Sequence, residues 1–245
     1  MKIDQNYTAA IVIIGNEILS GRTIDKNTSF IAKWLNEKGI SVEEVRVIPD
    51  KEQVIIDSVN ELRKKFAYVF TTGGIGPTHD DITSESISKM FSQKYQYHQE
   101  AYKILEKYYE NQDFNEGRKK MAKMPEKAKL IQNPKTFAAG FYVENVFVLP
   151  GVPSILQAML VNLDKLILSG SKILSVSIDT SLRESSIAQE LEDIQKKYKD
   201  VDIGSYPYFK EKVGTVLVMR SINKESIDLC EKEIRLLVKE NILNS

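Results

Sequence analysis

Thr71-Thr72-Gly73-Gly74-Ile75-Gly76-Pro77-Thr78-His79-Asp80-Asp81-Ile82-Thr83 joins a short apolar run, Tyr68 to Thr71, to a predicted helix, Ile82 to Phe91. Three glycines within four positions let the backbone turn tightly and expose its N–H groups, as a phosphate-binding loop ahead of a helix requires. A plain tight turn fits the glycines equally well. The adjacent carboxylates Asp80 and Asp81 make chemical sense beside an anion-binding loop when a divalent cation bridges them to phosphate. In the structural alternative, Asp81 caps the helix with help from Thr83, and Asp80 is solvated.

Outward from this loop, the pattern alternates. Ala9 to Ile14 is a continuous apolar run of the kind found in strands buried on both faces, and it stops at Gly15. Phe30, Ile31, Trp34 and Leu35 share one face of a helix over 28–38 that ends at Gly39. Val42, Val45 and Val47 predict a second strand, and Asp50 is placed to cap a helix running to Lys65. This β-α-β-α-β order predicts an α/β fold with an open, mostly parallel sheet, whose ligands sit beyond the carboxyl ends of the strands. Gly15, Asn16, Glu17, Gly21, Arg22, Asp25 and Asn27 follow the first strand and would face the glycine loop across a crevice. There Glu17 could hold metal or act as a general base, Arg22 could meet a phosphate, and Asp25 or Asn27 could order the loop.

Further on, 99–123 reads as helical with a break near 111–115. Glu144-Asn145 reads as a hairpin turn and 154–168 as a helix. After Ser169-Gly170-Ser171 the pattern restarts as β-α-β-β-α. The expected division is an α/β domain over 1–169 and a small α+β domain over 170–245. Tyr95, Tyr97, Tyr102, Tyr108 and Tyr109 read as core or oligomer contacts, His98 as a surface or capping residue, and Arg118 to Lys120 as a solvated helix face with Arg118 as a possible phosphate contact.

In the 245 residues, 34 Lys and Arg balance 34 Asp and Glu, which argues against a nucleic-acid grip built on phosphate contacts. The two histidines and single cysteine all but exclude a zinc site, so any metal would be held by oxygen. Cys230 reads as a buried structural thiol. No signal-like start and no apolar run of roughly 18 residues is present, so the expectation is a cytoplasmic protein with no membrane partner.

Gly15-Asn16-Glu17-Ile18-Leu19-Ser20-Gly21, Asp25-Lys26-Asn27 and Gly73 to Thr83 resemble the signature of the MoaB/MogA molybdopterin-binding fold, in the variant found at the N-terminus of CinA proteins. Similarity continues through Met124-Pro125, Ile131 to Pro134, Ala139-Gly140-Phe141 and Leu149-Pro150-Gly151-Val152-Pro153, and the tail resembles the small domain of CinA-type proteins. The resemblance implies divalent-metal-dependent hydrolysis of a nucleotide pyrophosphate such as ADP-ribose or FAD. Magnesium, manganese or cobalt would sit on Asp80, Asp81 and Glu17, which also serve catalysis. Substrate contacts implied by it are Gly15, Asn16, Arg22, Asn27, Gly73, Gly74, Gly76, Thr78, Thr83, Asn133, Gly151 and Pro153. A homo-oligomer is expected on the same ground.

Departures from the family pattern are Asn16, where many relatives carry Asp; Ser154-Ile155, where Glu-Met is common; and Lys135-Thr136-Phe137, where small residues prevail. No counterpart of the nicotinamide mononucleotide deamidase domain of full-length CinA proteins is inferred. The alternative function is a non-catalytic or molybdenum-cofactor-related module that binds molybdopterin or a nucleotide.

Overall fold

Tyr7–Ile14 forms β1 in the computed structural model, which describes residues 7–209 and 213–243. From Ala9 to Ile14 every residue is buried, and successive side chains enter opposite cores. Ala10, Val12 and Ile14 pack in one; Ala9, Ile11 and Ile13 pack in the other. Each large side chain so buried contributes about 1.5–3 kcal/mol.

The short α1 (Asn16–Leu19), then α2 (Asn27–Glu37), β2 (Ile40–Ile48), α3 (Glu52–Lys65), β3 (Tyr68–Thr72) and α4 (Thr83–Met90) follow. Next come β4 (Tyr95–Tyr97), α5 (Gln99–Tyr108), α6 (Glu116–Lys120), β5 (Lys123–Pro125), β6 (Lys129–Ile131), β7 (Gly140–Val143), β8 (Val146–Leu149) and α7 (Pro153–Leu160). Six strands form one sheet in the order β2-β1-β3-β8-β7-β6, in which β2, β1, β3, β8 and β6 run one way and β7 alone runs against them. Ile55, Val59 and Leu62 of α3, Ile87 of α4 and Leu105 of α5 cover one face. Ile31 and Leu35 of α2 with Leu156, Met159 and Leu160 of α7 cover the other. The expected open, mostly parallel α/β sheet is what the structure shows.

Three local expectations are corrected. Asp50 does not cap α3, whose first turn has no side-chain cap; its carboxylate accepts from the Asn16 N–H at 2.8 Å. The stretch over 99–123 has its expected break, between α5 and α6, but its helix ends at Lys120, and Lys123 pairs with Tyr97 in the ladder of β4 and β5. The tyrosines there form edge contacts, Tyr97 with Tyr102 and Tyr102 with Phe114, both with centroids 5.3 Å apart. The helix over 154–168 ends at Leu160 in a 3₁₀ turn, Val161–Leu163, where the Asn162 amide donates to the Gln132 carbonyl at 3.0 Å. His98 caps α5, its Nδ1 accepting from Ala101 N–H. At the β7–β8 hairpin, Asn145 Nδ2 donates to the carbonyls of Arg63 and Phe66 and so closes the end of α3.

The chain divides into two compact units, Met1–Gly170 and Ser171–Ser245. In the second, β9 (Leu174–Thr180), β10 (Asp202–Phe209) and β11 (Val213–Ser221) form an antiparallel sheet in the order β10-β11-β9. Its core joins that sheet to α8 (Ala188–Lys197) and α9 (Lys224–Leu243) through Ile178, Leu191, Leu217, Ile227 and Cys230. Burial pushes the Cys230 thiol up to about 11, which keeps it protonated and inert at neutral pH. Among the described residues no helix is long and apolar enough to cross a membrane.

Candidate functional site

One rung of the sheet runs from Ile13 to Thr72 and from Thr72 to Leu149, and Ile131 pairs with Gly140 at the start of β7. The loops after β1, β2, β3 and β8, and the loop joining β6 to β7, therefore leave the same edge. Because α2 leads from β1 to β2 on one side and α3 leads back to β3 on the other, the crevice opens between β1 and β3.

Gly73 and Gly74 have φ of 105° and 68°, in the left-handed region that favours glycine. A Cβ on Gly73 would stand 2.1 Å from the Ile14 carbonyl oxygen, and one on Gly74 would stand 2.2 Å from Thr83 Oγ1. The loop is thus pressed onto the end of β1 and onto the start of α4. Thr83 N–H donates to the Gly74 carbonyl at 2.9 Å, while the Thr83 side chain is wholly buried beneath it. Thr83 thus supports the loop from below, and its Oγ1 has no hydrogen-bond partner.

Beyond the glycines the two carboxylates converge. Thr78 Oγ1 lies 2.6 Å from both Asp80 Oδ1 and Asp81 Oδ2, and Thr78 N–H donates to Asp81 Oδ2 at 2.8 Å. One hydroxyl proton cannot serve two carboxylates at once. Acceptance from Thr78 Oγ1 holds the Asp80 carboxyl below its ordinary range, followed by its own backbone N–H, with His79 and Lys120 adding positive charge. Asp81 closes on Thr78 instead of capping α4, whose N-cap residue, Ile82, makes no side-chain bond. A Cβ on Gly76 would lie 2.7 Å from Asp81 Oδ2, so a side chain there would displace that carboxylate.

Across the crevice, Asp25 Oδ1 and Oδ2 accept from the N–H groups of Asn27 and Thr28 and shape the start of α2. Asn27 is 5% exposed, and its Nδ2 donates to Thr72 Oγ1 and to the Gly151 carbonyl, both at 2.8 Å. It clamps three loops together through Nδ2. Gly151 also packs closely on Gly73, and Pro153 opens α7. Gly15 donates to the Ile48 carbonyl. Arg22, Asn16 and Glu17 are exposed.

Glu17 folds back toward Gly15, and among the described residues no three of His, Cys, Asp and Glu gather to hold one ion. Of the expected trio, Asp80 and Asp81 converge on Thr78, and Glu17 stands on the loop after β1. Asn133 Oδ1 accepts from Lys135 and Thr136 N–H, and its Nδ2 donates to Thr136 Oγ1 and the Ala138 carbonyl, so its amide shapes its own loop.

Residues 10–169 match the family described as "Probable molybdopterin binding domain". A crystal structure of the protein CinA from Thermoplasma acidophilum superposes with a TM-score of 0.62 at 34% identity, covering 65% of this chain and 97% of that one. The chain belongs to the CinA-like molybdopterin-binding family. Residues 172–245 of this CinA-like chain match a second family, "FAD synthase, middle domain". An Archaeoglobus fulgidus protein is 33% identical over 94% of this chain and 97% of its own length. A Clostridium botulinum protein named for competence-damage induction is 33% identical over 97% of this chain, which spans 61% of that protein.

Two residues of the CinA-like site escaped the sequence reading. Asp50, at the end of β2, holds the Asn16 N–H and so anchors the loop after β1. Lys120 of α6 donates to the Thr78 carbonyl and brings a cation beside Asp80. No local pattern signals either contact. Four buried side-chain oxygens on the bordering segments have no hydrogen-bond partner: Asn27 Oδ1, Thr28 Oγ1, Thr71 Oγ1 and Thr83 Oγ1. Buried oxygens of this kind call for a partner such as a water, an ion or a ligand.

Proposed function

We propose that the crevice hydrolyses the pyrophosphate bond of a nucleotide of the ADP-ribose or FAD type, with Asp80 and Asp81 holding a magnesium, manganese or cobalt ion. The observation that carries this reading is the convergence of both carboxylates on Thr78 beside the glycine loop. Support comes from the two matched families, whose descriptions name molybdopterin binding and FAD synthase and so point to a pterin or nucleotide as small-molecule ligand.

The donor set fits a hard cation: Asp80 and Asp81 would hold it through oxygen, and it would relieve the repulsion between their charges. Such an ion, when bound, supplies positive charge against the bridging oxygen on which negative charge develops. Gly73 N–H is spent on the Leu149 carbonyl at 3.1 Å, so the backbone N–H groups of Gly74 and Gly76 orient the pyrophosphate, and Lys120 steadies the Thr78 turn that holds both carboxylates. Glu17, exposed on the facing loop, takes a proton from the attacking water as its oxygen bonds phosphorus and the bridging P–O bond breaks.

Turnover of ADP-ribose, FAD and NAD with each metal, and with chelator as control, tests the proposal through release of AMP. Asp81→Ala should lower turnover by roughly 10²–10³-fold with the circular dichroism spectrum unchanged. Full activity in that variant rules the assignment out.

A second reading, a module that binds its ligand without turnover, is favoured by Glu17 standing apart from the Asp pair and by the amide at Asn16. A gain of hydrolysis in Asn16→Asp, or binding without turnover across the panel, selects it. The homo-oligomer implied by the family resemblance is read by light scattering.

A further inference from the structure

Between α5 and the loop joining β6 to β7 lies a cleft of about 670 Å³ whose walls include Ile104, Tyr108, Leu130 and Phe137. Phe137 sits at φ 60°, a left-handed conformation that strains a bulky aromatic residue, yet its side chain is not in the core: Phe137 is 44% exposed. The Asn133 amide holds that conformation through its four loop hydrogen bonds, and the Asn133 carbonyl accepts from Phe137 N–H at 3.2 Å. Tyr108, 41% exposed, lies against it with ring centroids 4.9 Å apart and planes tilted by 36°. The two rings make an open aromatic wall.

Position and charge say what the wall faces. The loop carrying Phe137 leaves the same sheet edge as the glycine loop, with β8 and β7 between β3 and β6, so three strand spacings of about 4.8 Å separate them. That is within the reach of a nucleoside joined to phosphates on the glycine loop. Lys107, also in the lining, suits further phosphate charge, and Asn162 lines the cleft with its Nδ2 held by the Gln132 carbonyl.

We propose that the Tyr108–Phe137 cleft seats the heteroaromatic ring of the nucleotide whose pyrophosphate lies on the glycine loop, and that Phe137 sets the preference for that ring. This rests on the phosphate-binding reading of the loop. Calorimetric titrations of ADP-ribose, FAD, riboflavin and inorganic pyrophosphate into wild type, Phe137→Gly and Tyr108→Ala test it. Glycine accepts φ 60° without strain, so the loop persists in the first variant. Both substitutions should weaken ADP-ribose or FAD about tenfold and leave pyrophosphate unchanged. Dinucleotide affinity equal to wild type in Phe137→Gly overturns the proposal, as does a wild type that binds neither dinucleotide nor riboflavin. If pyrophosphate fails to bind while Phe137→Gly still weakens the dinucleotide, the loop reading falls and the cleft stands.

Discussion

Gly73 concentrates the constraints of the site in one residue. Its φ of 105° and the 2.1 Å gap between a would-be Cβ and the Ile14 carbonyl oxygen forbid a side chain on both conformational and steric grounds. Gly73→Ala should therefore destabilise the protein by about 2–4 kcal/mol, read as a lower urea midpoint with unchanged slope. A loss below about 0.5 kcal/mol would mean that β1 and the loop are not pressed together. The glycines were legible as a tight turn because a run of three in four positions has few other uses. That Asp81 serves Thr78 and not α4 was not legible, since both roles ask for the same residue at the same spacing.

Asn27 joins elements that are far apart in the chain: the start of α2, the end of β3 and the loop ahead of α7. Asn27→Ala leaves the Gly151 carbonyl without its donor and should cost about 1–3 kcal/mol in unfolding free energy. Amide exchange should quicken at Gly151 and Val152 while β1 stays protected, as mass spectrometry can follow. Unaltered exchange there would show that the clamp carries no tension. Helices α2 and α3 were readable from the period of their apolar residues. The β4–β5 ladder was not, because Tyr95 pairs with Pro125 across an intervening helical region and neither strand is long enough to show its own alternation.

At the scale of the whole molecule, each unit has its own core, and Leu217 is fully buried in that of 171–245. Leu217→Ala should weaken that unit by about 2–5 kcal/mol and lower one calorimetric transition while the other keeps its temperature. A single transition that moves as one would show that the units unfold together. The sequence by itself determined the opening β-α-β-α-β order, the α/β class, the second pattern after Ser171 and the glycine loop with its paired carboxylates. These depend on periodicity and turn chemistry, which act over a few neighbouring residues. Only the tertiary structure decided that Lys120 reaches Thr78, that Asp50 anchors Asn16, that Glu17 stands apart from Asp80 and Asp81, and that Phe137 is presented at the same sheet edge. Those placements follow from strand order and long-range packing, which bring together residues that no local pattern relates.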